Sequence, residues 1–361
     1  MVTVVKKVKS IKSDVAIQEF IALRSSRPVI DVRAPSEFQA GHIQSAINIP
    51  VLDDLQREAI GTVYSKQGRQ QAVIRGLEAV GPKMGEMAKT VIAELSKNDA
   101  PSLEALIYCA RGGMRSSSFS WLLEQLGIKA IRLSDGYKSY RQYAQSFFEK
   151  PWKLTVLTGL TGAGKTVQLK RLADLGEQVI DLEGLACHRG SAFGGIGQGV
   201  QPRTAQFENL IFEELFNFDP SRRIWIEDES RSIGHCMIPA SFFQRLHSSP
   251  AIFLDIDKSQ RARKLAVEYG DLPIDEMKKA IDRIGKRLGG QNVKMAVRAL
   301  DQGSLESCAE VLLEYYDSTY THSHINNPRQ TTMNVDLNNI DESTTTGKIL
   351  ELANQMDLGL C

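Results

Sequence analysis

Cysteine is scarce in this sequence, with five in 361 residues: Cys109, Cys187, Cys236, Cys308 and Cys361. Their wide, uneven spacing suits neither a disulfide framework nor a structural zinc site. Long apolar runs are absent as well. None approaches the ~18 residues of a membrane-spanning helix. Met1 to Lys7 lacks the apolar core and small-residue cleavage site of a secretory signal, so a cytoplasmic protein without membrane association is expected. Charge of one sign is also missing, because 44 Lys+Arg and 43 Asp+Glu leave a net +1. A uniformly basic nucleic-acid binder is excluded, and any such role needs a local patch. No internal repeat is evident. What is present is ordinary globular usage, 42% apolar and 24% charged, enough to bury more than one core.

The chain reads as α/β throughout. Short apolar runs closed by charge or by a loop occur at 28–33, 106–109 and 131–133, the pattern of buried parallel strands. Helices are predicted over Val15–Leu23, with Asp14 as N-cap, and over Ser116–Leu126, stopped by Gly127. Alternating strands and helices imply a parallel sheet covered on both faces. Residues 53–103 form a helical insert with breaks expected at Gly61, Gly68, Gly76, Gly81 and Gly85. A second unit begins at Leu154–Leu157, with further strands at 178–181, 224–227 and 251–255. Residues 190–199 hold five glycines and read as a flexible loop. Residues 259 to about 316 read as helical. The final stretch, 326–361, reads as a polar tail with one apolar helix near 349–358. The expected domains are thus 14–145, 150–325 and that tail.

Cys109 stands at the end of a predicted strand and is followed by Ala110-Arg-Gly-Gly-Met-Arg-Ser116 and a helix. Backbone N–H groups in such a loop converge on one point, and the helix N-terminus adds partial positive charge. Arg111 and Arg115, with the amides of Gly112 and Gly113, are expected to lower the thiol pKa and to bind a tetrahedral oxyanion. A nucleophilic thiolate needs both. The stretch resembles the rhodanese family. So do Asp31-Val-Arg-Ala-Pro-Ser-Glu-Phe38, Gly41-His-Ile-Gln-Ser-Ala-Ile-Asn-Ile-Pro50 and Asp135-Gly-Tyr-Lys138, in family order across about 14–145. The resemblance implies structural roles for Asp31, Arg33 and His42. The loop from Cys109 to Arg115 spans seven residues where ordinary sulfurtransferase members have six, a width that suits a phosphate-sized donor. It also matches the Cys-x5-Arg spacing of cysteine phosphatases, although Tyr108 replaces the usual histidine.

Gly159-Leu-Thr-Gly-Ala-Gly-Lys165-Thr166 fits G-x-x-x-x-G-K-[ST] between a strand and a helix predicted at 167–175. Gly159, Gly162 and Gly164 let backbone amides approach phosphate oxygens. Lys165 reaches the terminal phosphates, and Thr166 can ligate Mg²⁺. Glu227 or Asp228, in a Walker-B-like strand end, can hold Mg²⁺ through water or be an ordinary acidic turn. No other metal site is expected, and no tightly bound cofactor.

With both sites considered, the chain resembles the tRNA 2-selenouridine synthases, fused rhodanese and P-loop proteins of bacteria. The resemblance runs through 108–116, 158–166, Gly190-Ser-Ala-Phe-Gly194, Gln201-Pro202, Phe207-Glu208 and Trp225 to Gly234. It implies replacement of sulfur by selenium in wobble 2-thiouridine of tRNA. Geranyl diphosphate would alkylate the sulfur, and selenophosphate, from a supplying partner, would bring selenium to Cys109 as a perselenide. The P-loop would hold the allylic diphosphate. A sulfurtransferase, or a Cys-x5-Arg phosphatase, coupled to a nucleotide-binding domain is the alternative. So is a non-enzymatic, nucleotide-switched tRNA-binding module. A monomer is expected. The tRNA contact is assigned to 258–298, where eleven Lys/Arg face five acids, with Arg261, Arg263, Lys264, Lys278, Lys279, Arg283, Lys286 and Arg287 as its candidates. Lys138, Arg141 and the tyrosines around them are expected to add phosphate contacts and base stacking at the first site.

Overall fold

The computed structural model describes residues 13–97, 103–326, 332–338 and 340–358. It divides into two units, Met1–Phe147 and Phe148–Cys361. Each is built on a five-stranded, wholly parallel sheet.

The first sheet contains β1 (Asp14–Val15), β2 (Val29–Asp31), β3 (Ile47–Asn48), β4 (Glu104–Tyr108) and β5 (Lys129–Leu133), in the order β1-β5-β4-β2-β3. β4 is central, and four of its five residues are buried. That is why it reads as a continuous apolar run. One expectation fails here. Asp14 and Val15 do not start a helix but pair with Arg132 and Leu133 of β5, and Asp14 is ion-paired with Arg132 at 2.7 Å. The helix starts two residues later, at Ile17–Leu23. The insert is helical as expected, over Asp54–Gln67, Arg69–Val80 and Met84–Lys97. Only Gly68 and Gly81 interrupt it, and the other three glycines lie inside helices. Met87, Val91 and Leu95 pack with Ile107 and Leu123 in the core of this unit, so the third insert helix is a packed layer.

The second sheet contains β6 (Leu154–Thr158), β7 (Gln178–Ile180), β8 (Ile224–Glu227), β11 (Ala251–Asp255) and β12 (Thr332–Asp336). Its order is β12-β11-β6-β8-β7. A small antiparallel hairpin, β9 (Ser232–Ile233) and β10 (Cys236–Met237), follows β8. The stretch expected to be helical, 259 to about 316, folds as four helices, Lys258–Glu268, Ile274–Leu288, Gly290–Asp301 and Leu305–Asn326, around Leu265, Ile281, Leu300 and Leu313.

The expected polar tail is corrected for its described part. β12 pairs with β11 over five residues, and the helix Glu342–Asp357 buries Ile349 and Ala353 against Leu169 and Val335. The segment completes the second unit. Its strand, Thr-Met-Asn-Val-Asp, escapes a composition reading because an edge strand has one covered side and tolerates polar residues. Cys361 lies outside the described residues.

Candidate active sites

In the first unit the chain leaves β4 at its C-terminal end and places Cys109 on the loop leading into the helix Met114–Gln125. The thiol is buried. It accepts a hydrogen bond from the Gly113 amide at 3.2 Å and lies 3.2 Å from the Ser116 hydroxyl, which donates to the Gly113 carbonyl. Cys109 is therefore held at the N-terminus of a helix, where backbone amides favour an anion.

The loop rests on the Asp135-Gly-Tyr-Lys138 stretch. The Tyr137 and Lys138 amides donate to the Cys109 and Ala110 carbonyls at 2.8 and 3.1 Å. Gly136 has φ +57°, and a Cβ there would stand 2.2 Å from the Cys109 carbonyl oxygen. A Cβ on Gly112, at φ +64°, would stand 2.9 Å from the Asp135 amide nitrogen. These contacts fix the loop's shape before any ligand arrives.

The two loop arginines differ. Arg111 is exposed. Arg115 is bound at two points by Glu37, at 2.5 and 3.2 Å. Its planar fork is thus committed to a carboxylate. Burial tends to raise the Glu37 carboxyl, but the hydrogen bonds and charge of Arg115 outweigh it and hold the group below its ordinary value. Glu37 sits within the Asp31–Phe38 stretch quoted above, yet no local pattern marks it as the partner of Arg115.

Asp31, Arg33 and His42 take structural positions. Arg33 is ion-paired with Asp31 at 2.6 Å, donates to the Gly41 carbonyl and lies 3.9 Å over the Tyr137 ring. His42 stacks on Phe38. Tyr108 accepts the Ile43 amide through its hydroxyl, and burial raises that phenol well above its ordinary range. It is no substitute for a phosphatase histidine. Tyr137 and Tyr140 stack on each other, with Tyr140 fully buried, so these rings pack the unit and are not free platforms for a base. Lys138 is exposed.

In the second unit β6 ends at the P-loop, which opens the helix Lys165–Asp174. Gly159, Gly162 and Gly164 have φ of +149°, +81° and +87°. A Cβ on Gly162 would meet the Leu265 side chain at 3.0 Å, so the glycine serves close packing as well as backbone freedom. Lys165 Nζ donates to the Gly159 carbonyl at 3.1 Å. Thr166 donates its hydroxyl to Glu183 Oε2 at 3.1 Å, and Glu227 Oε2 is 3.4 Å from it. Glu227 Oε1 accepts the Glu183 amide. Asp228 is turned to Thr158, whose hydroxyl it accepts at 2.7 Å. Of the two acids suggested for Mg²⁺, Glu227 therefore stands beside Thr166.

Glu183 and Glu229 join this group without having been singled out in the sequence. Glu183 lies two residues past an acid-ended strand, the one local signal it offers. Burial raises Glu227 well above the carboxylate range, and neighbouring carboxyls add to the effect. Burial, reinforced by Glu183, pushes Glu229 up to about 8. A hydroxyl beside buried carboxylates is a hard-oxygen donor set, which fits Mg²⁺ completed by phosphate and water. Among the described residues no three acidic, histidine or cysteine side chains form a metal cage by themselves. The cleft over the P-loop has a volume of about 1540 Å³.

The basic segment divides. Arg261 is corrected from a tRNA contact to a buried clamp. It is 2% exposed, donates to the Thr161 carbonyl of the P-loop at 3.1 Å, and is bound at two points by Asp317 at 2.9 and 2.8 Å. Arg263 and Lys264 line the P-loop cleft. Lys278 is paired with Asp301 at 2.5 Å. Lys279, Arg283, Lys286 and Arg287 are exposed on the helix Ile274–Leu288. No helix among the described residues is long and apolar enough to cross a membrane.

Comparison with known proteins finds a family model over each unit. Residues 16–143 match the rhodanese-like domain, and residues 152–348 match the tRNA 2-selenouridine synthase AAA domain. A tRNA 2-selenouridine synthase of Sulfurovum sp. is 33% identical over 332 residues, 82% of this chain and 89% of that protein. One from Aeromonas salmonicida is 35% identical over 250 residues, 67% of this chain and 64% of that protein. One from Nitrosomonas europaea is 36% identical over 263 residues, 71% of this chain and 67% of that protein. With a rhodanese-like cysteine loop in one unit and the family's P-loop domain in the other, the chain belongs to the tRNA 2-selenouridine synthase family.

Proposed function

We propose that this protein replaces sulfur by selenium in wobble 2-thiouridine of tRNA, in two steps divided between its two anion cradles. The observation that carries the reading is the Cys109 thiol held against the Gly113 amide at a helix N-terminus, in a chain that also holds a P-loop. One cradle contains a cysteine thiol, and the P-loop sequence Gly159 to Thr166 contains none.

The P-loop binds the diphosphate of geranyl diphosphate. The thione sulfur attacks the allylic carbon, the carbon–oxygen bond breaks, and the base loses its N3 proton. Lys165 and the loop amides stabilise the departing diphosphate. Bound Mg²⁺, held by Thr166 with Glu227 and Glu183, would neutralise phosphate charge. Alkylation turns a poor leaving group into a thiol. The loop amides and Arg111 hold the phosphate end of selenophosphate. Its nucleophilic selenium attacks C2, a carbon–selenium bond forms and geranylthiol leaves. Cys109 then attacks phosphorus. A sulfur–phosphorus bond forms, the phosphorus–selenium bond breaks, and its electron pair stays on selenium, which frees the base as 2-selenouridine. Water hydrolyses the phosphocysteine to phosphate and restores the thiol. No oxidation state changes, whereas a perselenide on Cys109 would require phosphorus to leave as phosphite. The exposed Lys279, Arg283, Lys286 and Arg287 supply salt-dependent affinity for tRNA phosphates. A cytoplasmic location and a partner that delivers selenophosphate follow from this chemistry.

The test separates the two sites. Lys165→Ala should abolish geranylation yet leave selenation of pre-geranylated tRNA. Cys109→Ser should block selenation and spare geranylation. Selenation by Cys109→Ser, or a P-loop variant that geranylates normally, contradicts the assignment.

A further inference from the structure

We infer that Arg189 is an anion-binding residue of the P-loop cleft, a guanidinium from outside the motif that contacts the outer phosphate of the diphosphate. This rests on the reading of the P-loop as a diphosphate cradle and adds a residue that the motif does not contain.

Arg189 immediately precedes the glycine-rich stretch and lines the same cleft as Lys165. The stretch passes directly over the P-loop acids. Gly190 has φ +67°, and a Cβ there would stand 2.8 Å from Glu183 Oε1 and 3.2 Å from the Glu229 carboxylate. Glu183 in turn accepts the Thr166 hydroxyl. A short chain of contacts therefore links Thr166 to the residue next to Arg189.

The stretch expected to be a flexible loop is braced. The Ala192 amide donates to the Tyr316 hydroxyl at 2.8 Å, Ser191 and Tyr269 share a hydrogen bond at 3.2 Å, and the Arg189 amide donates to the Gly194 carbonyl at 3.0 Å. The guanidinium is also placed. In the orientation that satisfies its amide, Gln198 accepts from Arg189 Nε and Nη2 at 3.1 Å each. The Tyr269 ring lies 6.0 Å from the guanidinium carbon.

Arg189 Nη1 is buried and has no hydrogen-bond partner. Its nearest carboxylate, Glu268 Oε1, is 3.6 Å away, an ion pair beyond hydrogen-bond reach. Among the described residues one other buried side-chain nitrogen is left so, Arg223 Nη1, which has Asp357 at 3.3 Å and lies outside the cleft. An orphaned buried donor in a native fold calls for an explanation, and a bound acceptor is one. Lys264, Arg263 and Arg231 also line the cleft, but Arg263, Lys264 and Arg231 are exposed. Arg189 is the preorganised cation there, and a planar fork suits a phosphate edge.

The test is titration of the full-length protein, in Mg²⁺, with inorganic pyrophosphate. Arg189→Ala should weaken binding by about 10- to 100-fold, as for loss of a charge-assisted hydrogen bond. Arg189→Lys, which keeps charge and bulk, should fall between that variant and the wild type. Glu268→Gln should tighten binding, because the carboxylate that competes for Nη1 is gone, and the gain should vanish when Arg189 is alanine. A merely structural role predicts no such gain. Pyrophosphate binding within twofold of wild type in both Arg189 variants overturns the inference. If Arg189→Ala does not fold, Arg189→Lys alone decides it by the same criterion. Wild-type protein that ignores pyrophosphate, or binds it undiminished after Lys165→Ala, overturns the diphosphate reading itself and this inference with it.

Discussion

Arg115 and Glu37 are joined by a two-point ion pair, at 2.5 and 3.2 Å, across 78 residues of chain. The arginine that closes the cysteine loop is thus anchored by the protein itself, and the pair pins the loop to the helix Pro35–Ala40.

Removal of the carboxylate should cost stability in a pH-dependent way. The folded-state pKa of Glu37 lies below its ordinary 4.5. Its contribution is therefore present above that value and is lost as pH falls through the folded pKa. Glu37→Gln should lose about 1–3 kcal/mol at neutral pH. The gap to wild type should narrow in melts taken at successively lower pH, as the carboxylate is protonated. A gap that persists unchanged in acid would show that the ion pair is not its source.

Arg111 and Arg115 should separate kinetically. Arg111→Ala should raise the KM for selenophosphate with the melting temperature unchanged, because the side chain is exposed. Arg115→Ala should lower the melting temperature as well, since it leaves Glu37 half-buried without its partner. Steady-state selenation with parallel thermal melts makes the comparison. Equal stability losses in the two variants would contradict it.

Gly136→Ala should be severe, and Gly113→Ala mild. A Cβ at 136 would stand 2.2 Å from the Cys109 carbonyl at φ +57°, whereas nothing lies within 4 Å of one at 113. The first should cost about 3 kcal/mol or more and reduce selenation even where folded protein remains. Urea denaturation and single-turnover selenation measure both effects.

Arg261 and the exposed arginines should behave in opposite ways. Arg261→Ala breaks a buried pair with Asp317 and should cost about 3–5 kcal/mol. Alanine at Lys279, Arg283, Lys286 or Arg287 should leave stability nearly unchanged. Each should reduce the slope of log tRNA affinity against log salt by about 1. Filter binding across a salt series reads the slope. An unchanged slope would move the tRNA surface elsewhere.

Much of both sites was legible because each is one contiguous stretch. Cys109 to Ser116 and Gly159 to Thr166 carry their turns, charges and helix starts within a few residues. The partners were not legible, because they arrive from distant parts of the chain. Glu37 reaches Arg115, Glu183 and Glu229 reach the P-loop, and Asp317 reaches Arg261. A count of charges cannot see burial, so Arg261 looked like surface. Strand β1, two residues long, exists through its pairing with β5 and carries no periodicity of its own. Strand β12 was hidden by its polar composition.

The central claim is that one chain alkylates and then selenates 2-thiouridine. The direct measurement incubates the protein with 2-thiouridine tRNA, geranyl diphosphate and selenophosphate, singly and together, and weighs the nucleosides by mass spectrometry. The account predicts S-geranyl-2-thiouridine with the diphosphate alone and 2-selenouridine when both donors are present. An unaltered base in every combination would contradict it.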